Sequence, residues 1–424
     1  MWVLIALCVF AGTGFLLWRF QQNQSDQIKV IYWIALALRV AAGVGVGLVY
    51  TYYYSAGDTF GYFSDSLILH GLFADSPEDY FRFLMFSQDF TTVLDQLANT
   101  QTRSLFLVKV VSVFGLVANS NYWLTAFYFS IISFLSAWFL MTQIMASYPG
   151  TTRAAIVSFL FFPSVVFWSS GITKECLAMS ALMLVAGVTL KYWRQNKLTW
   201  LQVLTLIVSV YFLWNLKYYW AALFLPSAFS CVLVTEMRKR IPISTKPILS
   251  ITVFLIVFCS LALLVSRLHP NFYLERLLDV IVDNYETYLP LSGANAAVHF
   301  TSLERNWTSI IVNSPWGLFS GLFRPLIFEI NSLFQFGISI ENLILLVLSF
   351  YNLRYLGEAW RSQHITQIVG ILLFIVLLSI FLTLSTPNFG TLSRYRIAFL
   401  PFFSYLLLVN ILPRFDAFRN LEHP

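Results

Sequence analysis

The chain has 424 residues and a formal net charge of +6, with 58% hydrophobic and only 11% charged residues. No water-soluble fold of this length could bury so many apolar side chains in one core. The composition therefore excludes a soluble enzyme and predicts an all-α polytopic membrane protein.

Apolar runs long enough to cross a bilayer follow one another along the chain. A hydrocarbon layer of ~30 Å requires roughly 20 helical residues. The N-terminal run counts as a span because no basic residue precedes its apolar core and no small-residue cleavage site follows it. The eleven predicted spans are Trp2–Trp18, Val30–Tyr54, Tyr122–Met145, Ala154–Ser170, Glu175–Trp193, Trp200–Asn215, Tyr219–Thr235, Ile248–Ser266, Ile338–Tyr355, Ile365–Ser385 and Tyr395–Leu412.

The charges predict the orientation of the chain. With the N-terminus outside and the C-terminus inside, the inner segments carry a net charge of +9 and the outer segments −4, and Arg39 within a span completes the total of +6. Lys and Arg are retained on the cytoplasmic side, so this orientation is the favoured one. It makes the basic balance a consequence of topology, with no nucleic-acid partner, and it places 104–117 as a short helix on the outer surface.

This topology divides the chain into an extra N-terminal span and inner loop (1–29), a transmembrane domain (30–412) and an inner tail (413–424). The domain has two long outer segments, 55–121 and 267–335, where function is expected to concentrate. The first is predicted to contain two amphipathic helices, Phe63–Leu72 and Pro77–Phe86, with Asp65 among the solvated acids of their polar faces.

Asp58 is a candidate catalytic residue because it closely follows a predicted span and lies between Gly57 and Gly61. A carboxylate here is held at the outer membrane boundary, where a lipid head group arrives. An equally open alternative is that Asp58 caps the helix that begins near Thr59.

A second candidate is the adjacent pair Lys174 and Glu175, which connects two spans on the same outer side. Charges at the start of an apolar helix are costly unless they are paired or used. The structural alternative is that Glu175 complements the positive end of the helix dipole while Lys174 reaches toward the interface.

Further cations stand at outer span ends, against the inside-positive bias, and they predict a pocket that holds a lipid phosphate. Arg can contact two phosphate oxygens with its planar fork, whereas Lys supplies a compact charge. The alternative is that these cations contact outer lipids or pair with Glu329 and Glu341. The predicted phosphate ligands are Lys174, Lys217, Arg324, Arg394 and Arg396, and the neighbouring predicted substrate-binding residues are Tyr62, Tyr218 and Tyr395.

The order of these features resembles the GT-C superfamily of membrane glycosyltransferases. The resemblance rests on Asp58 after the first core span, on Tyr62 four residues later, and on the stretch TRSLFLVKVVSVFGLVANSNYWLTAFYFS. It covers most of 30–412 and is nearest to the protein O-mannosyltransferase and aminoarabinose transferase branch, in which a surface helix ends in a Phe-Gly pair like Phe114-Gly115. The sequence departs from that branch at Thr59 and at Thr102-Arg103.

The resemblance implies a GT-C-like bundle of about 11 transmembrane helices, and the compact loops favour a bacterial inner membrane. It also implies transfer of a sugar from a polyprenyl-phosphate donor to a lipid, glycan or protein acceptor on the extracytoplasmic face. Asp58 would be the base, and Glu175 would orient the acceptor or help hold a divalent cation. No cofactor is certain, and a Mg or Mn ion is left open.

Other functions remain open on the sequence. One is a polysaccharide polymerase or ligase that uses lipid diphosphate-linked glycans, in which arginines dominate. A transporter or flippase is less favoured because the sequence has few charges within its spans and no matching halves. A structural scaffold would leave the outer cations without a purpose. The sequence also lacks HExxH and Gly-rich nucleotide motifs.

Overall fold

A computed structural model describes residues 2–24, 26–54, 58–240, 247–293, 296–330 and 332–412. These residues contain no β-strand, only an isolated bridge between Ala297 and Asn388. The predicted inner tail 413–424 and the opening of the first outer segment at 55–57 lie outside the described residues.

The described chain is a succession of helices. The first ten are α1 (Trp2–Gln22), α2 (Asp26–Tyr52), α3 (Asp58–Asp75), α4 (Pro77–Met85), α5 (Thr91–Leu94), α6 (Thr102–Val117), α7 (Tyr122–Ser147), α8 (Thr152–Ile156), α9 (Pro163–Trp168) and α10 (Lys174–Gln195). The others are α11 (Trp200–Arg240), α12 (Pro247–Val265), α13 (Leu274–Tyr288), α14 (Trp307–Phe323), α15 (Leu333–Asn352), α16 (Leu356–Arg361), α17 (Ile365–Ser385), α18 (Phe389–Tyr395) and α19 (Leu400–Leu408).

Within the described ranges, eight helical segments are long and apolar enough to cross a membrane. They are Val3–Gln22, Ile28–Tyr52, Tyr122–Ser147, Lys174–Gln195, Trp200–Lys239, Pro247–Val265, Leu333–Arg361 and Ile365–Ser385. The protein is an all-α polytopic membrane protein, as the composition predicts. The helix at 102–117 is not among the eight, in agreement with its prediction as a short non-spanning helix.

Four predicted spans differ from the apolar helical segments that the structure shows. The run 154–170 is divided, since a π-turn ends at Phe161, Phe162 is extended and Pro163 begins α9. Proline disfavours a helical residue before it and cannot donate a backbone hydrogen bond. The run 395–412 is divided by a 3₁₀ turn at Arg396–Ala398, after which α19 begins with Pro401 in its first turn. The runs 200–215 and 219–235 are joined in α11, which consists of two helices separated by a kink at Lys217, between the two predicted spans.

The described chain divides into two compact units. Unit 1 comprises Met1–Leu140, Val165–Val185 and Leu204–Lys217, and unit 2 comprises Met141–Ser164, Ala186–Val203 and Tyr218–Pro424.

In unit 1, α3 and α4 pack with α6 through polar as well as apolar contacts. The Tyr80 hydroxyl lies 2.9 Å from the Ser112 hydroxyl. Asp65 is only 3% exposed, and its carboxylate accepts the backbone N–H groups of Ala98 and Asn99 at 3.1 and 2.8 Å. The expectation that Asp65 lies on a solvated polar face is therefore wrong. Its carboxylate instead satisfies backbone donors of the segment that leads into α6.

His70 and Gly115 join α3 to α6. The His70 Nε2 atom lies 2.9 Å from the carbonyl oxygen of Ser112, and Nδ1 lies 2.8 Å from the Ser120 hydroxyl. A Cβ atom at Gly115 would lie 2.6 Å from the His70 ring, closer than real contacts allow. Glycine is therefore required here by the position of the ring, which gives the Phe114-Gly115 pair a structural reason.

In unit 2, α17 packs with α12, α13 and α14. Phe254 and Phe258 of α12 form an apolar cluster with Leu373 and Leu377 of α17. On another part of α17, Gly321 of α14 allows a close approach, since a Cβ atom there would lie 2.3 Å from the Ser379 hydroxyl. The helices of this unit are thus held by apolar packing and by close contacts that depend on glycine.

Gly115→Ala is expected to lower the free energy of unfolding by about 1–3 kcal/mol, because the added methyl group displaces the His70 ring from its two hydrogen bonds. Gly71→Ala is the matched control, since a Cβ atom there meets nothing within 4 Å. Thermal and denaturant unfolding of the purified protein would measure both. Equal stability of the two variants would contradict this account.

Burial lowers the pKa of the His70 imidazole below its ordinary value, although its hydrogen bond to Ser112 acts in the opposite direction. The unfolded chain, with an imidazole pKa of about 6.5, then binds a proton more readily than the folded protein. Stability is expected to fall as the pH drops below about 6.5 toward the lower folded pKa. The unfolding midpoint, measured from pH 7.5 to pH 5, should therefore depend less steeply on pH in the His70→Gln variant than in the wild-type protein.

Candidate functional site

The predicted site residues are divided between the two units. Asp58, Tyr62, Lys174, Glu175 and Lys217 belong to unit 1, and Tyr218, Arg324, Arg394, Tyr395 and Arg396 belong to unit 2.

Lys217 interrupts the long apolar helix α11. Its backbone has φ −143° and ψ 65°, whereas the residues on either side are helical. The sequence predicted a loop between two spans at this position, but the departure is limited to one residue. Lys217 itself is only 2% exposed. Non-helical backbone and a buried charge are both costly within an apolar segment, so they indicate a site with a specific use.

Glu175 is the ionic partner of Lys217. The Lys217 Nζ atom lies 2.6 Å from Oε1 of Glu175, and their side chains are 3% and 0% exposed. Glu175 lies in the first turn of α10, where Thr173 accepts the backbone N–H of Cys176 through its hydroxyl. The carboxylate thus complements the helix dipole, as the structural alternative proposes, and also neutralises a buried ammonium group.

Lys174 lies beside this pair in sequence but has other partners. Its Nζ atom donates to the Ser104 hydroxyl at 2.8 Å and lies 5.1 Å from the centroid of the Tyr62 ring. Lys174 and Tyr62, which the sequence predicted independently as phosphate-binding and substrate-binding residues, are therefore in contact. This cation–π geometry holds the ammonium group against α3 and the start of α6.

We call Asp58, Arg103, Lys174, Glu175 and Lys217 the charged cluster. Lys174 lies within electrostatic reach of each of the other four residues. The cluster carries three cations and two carboxylates, so its net charge of +1 favours an anionic ligand. Arg103 is not among the residues that the sequence predicted for the site. Its position in a predicted outer segment, like that of the other outer cations, could have indicated it.

Asp58 is exposed, and it is the first residue of α3. The first turn of that helix is anchored to α7, because the hydroxyls of Thr59 and Tyr122 lie 2.8 Å apart and Phe60 stacks on Tyr122 at 4.3 Å between centroids. The carboxylate is thus accessible, yet its backbone is held in place. Its position in the first turn also complements the helix dipole.

The loop that leads to Lys174 is held by a second buried cation. Arg39 of α2 is 1% exposed and donates to the hydroxyls of Ser133 and Ser169 at 2.7 and 2.5 Å. Gly171 follows with φ +70°, and Gly43 packs so closely that a Cβ atom there would lie 3.2 Å from the Gly171 nitrogen. From the sequence alone, Arg39 is recognisable only as a charge within a span.

In unit 2, Arg324 is engaged by other side chains of the protein. Its Nε atom lies 2.9 and 3.0 Å from the two carboxylate oxygens of Glu329, and its Nη2 atom also contacts Glu329. The guanidinium lies about 5 Å from the ring centroids of Trp316 and Phe389. The structure therefore favours the alternative in which Arg324 pairs with Glu329 over a phosphate-binding role.

Arg396 is fully buried and lies within electrostatic reach of Glu341, whose carboxylate accepts the backbone N–H of Ser164 at 2.9 Å and also contacts the Ser164 hydroxyl. Its Nη1 atom lies 3.4 Å from the carbonyl oxygen of Arg324. Within the described part of the chain, the Nε and Nη2 atoms of Arg396 have no hydrogen-bond partner. Two guanidinium donors are therefore available to an additional acceptor.

The other three predicted residues of unit 2 have different surroundings. Tyr218 stacks on His269 with centroids 3.9 Å apart, and its hydroxyl accepts from Asn271 at 2.7 Å. The Tyr395 ring lies 6.4 Å from that of Tyr219, while Arg394 is in the last turn of α18. The described residues contain no group of three His, Cys, Asp or Glu side chains arranged to hold a metal ion.

Comparison with known proteins gives no relative: no family model, no curated protein and no solved structure matches this chain.

Lys217→Met is expected to destabilise the protein by about 3–5 kcal/mol, because it leaves the Glu175 carboxylate buried without its counter-ion. The double variant Lys217→Met, Glu175→Gln removes both charges and should recover most of that loss. Lys239→Met is the control, since its pair with Glu236 is partly exposed and should be worth less than about 1 kcal/mol. If the destabilisation by Lys217→Met and by Glu175→Gln simply added up in the double variant, as measured by thermal unfolding, direct coupling of Lys217 to Glu175 would be contradicted.

Proposed function

We propose that this protein is an integral-membrane glycosyltransferase of the GT-C type. In this proposal it moves a sugar from a polyprenyl-phosphate donor to a lipid, glycan or protein acceptor on the extracytoplasmic face of a bacterial inner membrane. The observation that carries the proposal is the buried Lys217–Glu175 pair at the interruption of an apolar helix. It lies within a cluster that also contains an accessible aspartate, Asp58.

The cations of the charged cluster fit the demands of the donor. As the bond between the anomeric carbon and the phosphate oxygen breaks, negative charge develops on the departing lipid phosphate. Fixed positive charges stabilise that state most effectively where water is excluded. Lys217 is buried and oriented by Glu175, while Lys174 is more accessible and is held by Ser104 and the Tyr62 ring.

Asp58 is the proposed general base. Its carboxylate would accept the proton of the acceptor hydroxyl as the oxygen attacks the anomeric carbon, while the lipid phosphate leaves with the bonding electron pair. Direct displacement of this kind inverts the configuration at that carbon. The accessible position of Asp58 suits contact with an acceptor, whereas the buried Glu175 is better suited to orienting Lys217.

A polysaccharide polymerase or ligase that uses lipid diphosphate-linked glycans is the second candidate, and Arg396 favours it. Its guanidinium is fully buried and has two donors without partners within the described residues. A planar guanidinium can bind phosphate oxygens in pairs, so Arg396 offers a strong ligand for a diphosphate. In this mechanism Arg396, rather than Asp58, is essential for turnover.

Asp58→Asn is expected to lower the turnover rate at least about a hundredfold while leaving donor binding nearly unchanged, because it removes the base and preserves its size. Proteoliposomes supplied with undecaprenyl-phosphate-linked glucose, mannose or aminoarabinose, tested separately together with a membrane extract as acceptor, would report release of undecaprenyl phosphate. The control is Asp75→Asn, which makes the same change at the opposite, exposed end of α3.

Arg396→Gln, measured in the same assay, separates the two candidates. Wild-type turnover by Asp58→Asn together with a complete loss in Arg396→Gln would reject the proposed base and support the polymerase or ligase. Unfolding midpoints of each variant would identify losses that come only from misfolding.

A further inference from the structure

Unit 1 contains a cavity of about 480 Å³ at which α4, the turn after it, α6 and part of α11 meet. It shares no lining residue with the charged cluster. The side chains around it are either apolar or polar and uncharged, except for one cation. The lining residues are Leu84, Met85, Ser87, Gln88, Leu94, Thr100, Thr102, Leu105, Phe106, Lys109, Val110, Val113, Tyr211 and Asn215.

Lys109 is the cation of this cavity. Its Nζ atom donates to the carbonyl oxygen of Leu84 at 3.1 Å and to the Ser87 hydroxyl at 3.0 Å, and it lies 5.4 Å from the Phe83 ring centroid. No ion pair of Lys109 is found within the described residues. An ammonium group has three donors, so one donor remains for a ligand.

The half-buried position of Lys109 makes this charge unfavourable. Burial lowers the pKa of its ammonium group. A phosphate in the cavity would supply a counter-charge. The lining residues include no Asp or Glu that would repel such an anion.

The rest of the lining suits an amphipathic molecule. Gln88, Thr100 and Asn215 provide amide and hydroxyl groups for a polar head, whereas Leu105 and Val113 belong to an apolar part of the wall that can cover hydrocarbon. A free inorganic anion would use only the first group. The combination favours a phosphate that is attached to an apolar chain.

The helix beside the cavity has the character of a membrane-surface helix. α4 has buried Tyr80 and Phe83, but Phe81 and Met85 are 60% and 77% exposed, and Phe86 directly after it is 65% exposed. Large exposed apolar side chains on a short amphipathic helix are typical of helices that lie at the level of lipid head groups. Met85 also lines the cavity, so the cavity lies at the same level.

We propose that this cavity binds a lipid phosphate, with Lys109 as the ligand of the phosphate and the apolar lining against the first part of the lipid chain. The site is separate from the charged cluster and does not depend on the glycosyltransferase proposal. Its occupant is either a membrane phospholipid or a polyprenyl phosphate, which present the same anionic group on different chains.

Native mass spectrometry of the full-length protein in a neutral detergent would test this site. Phosphatidylglycerol, undecaprenyl phosphate and uncharged undecaprenol would be titrated separately. At least one phosphate lipid is expected to bind, and undecaprenol is expected to bind at least about tenfold more weakly than undecaprenyl phosphate. Lys109→Met should weaken binding of the phosphate lipid by about tenfold or more, because it keeps the length of the side chain and removes its charge.

Arg82→Gln is the matched control, because Arg82 is a mostly exposed cation on α4, next to the cavity, and is not among the lining residues. It should retain wild-type binding. Val113→Trp would fill the cavity without changing any charge and should also abolish binding, which keeps the test valid if Lys109→Met does not fold. Unchanged binding by folded Lys109→Met or Val113→Trp, equal binding of undecaprenol, or equal losses in Arg82→Gln and Lys109→Met would overturn the proposal.

The lipid that binds more tightly identifies which kind of molecule supplies the phosphate group. Selective binding of undecaprenyl phosphate would make the cavity a polyprenyl site, and comparable binding of phosphatidylglycerol would make it a phospholipid site. Each result supports a lipid-phosphate site at Lys109.

Discussion

The ion pair between Lys217 and Glu175 is the constraint on which the candidate site depends. Two charges with almost no exposure are tolerated in an apolar environment only when each neutralises the other at short distance. The pair therefore joins the start of α10 to the interruption of α11. Because Lys174 precedes Glu175 directly, the same pair also fixes where the more accessible ammonium group can lie.

Around this pair, unit 1 contains buried polar groups at points where two backbone segments lie close together. Arg39 satisfies two serine hydroxyls near the loop that leads to α10, and Gly43 and Gly171 allow that loop to approach α2. Asp65 has a comparable role near α6, since its carboxylate accepts hydrogen bonds from the backbone N–H groups of residues 98 and 99. Such contacts are costly to leave unsatisfied in an apolar medium, so they hold the charged side chains in defined positions.

The charged cluster and the Lys109 cavity differ in electrostatic character. In the cluster, cations and carboxylates are arranged together, which suits a reaction in which charge moves from one atom to another. In the cavity, a single ammonium group is surrounded by uncharged groups, which suits stable binding of an anion. A membrane enzyme that handles lipid-linked substrates has uses for both kinds of site. The lipid site would nevertheless stand if the enzymatic proposal failed.

The sequence by itself determined the membrane class, the helical architecture and most of the span positions, because a long apolar run can satisfy its backbone in a bilayer only as a helix. It also singled out Lys174, Glu175 and Lys217, since charges at apolar helix ends are conspicuous. It could not determine that Glu175 pairs with Lys217, because the two residues are 42 positions apart and become neighbours only after the chain folds. Nor could it separate Arg324, engaged by Glu329, from Arg396, which retains two donors without partners among the described residues.

The same limit explains Asp65, which looks like a solvated charge in an amphipathic pattern, and Lys109, which is a single charge within an apolar stretch. A periodic pattern reports which face of a helix is polar, but the tertiary structure decides whether that face meets water, backbone donors or a cavity. For Asp65 it meets the backbone at 98–99, and for Lys109 it meets a carbonyl, a hydroxyl and a cavity with no acid in its lining. Local sequence therefore set the type of each residue, while long-range packing set its partners.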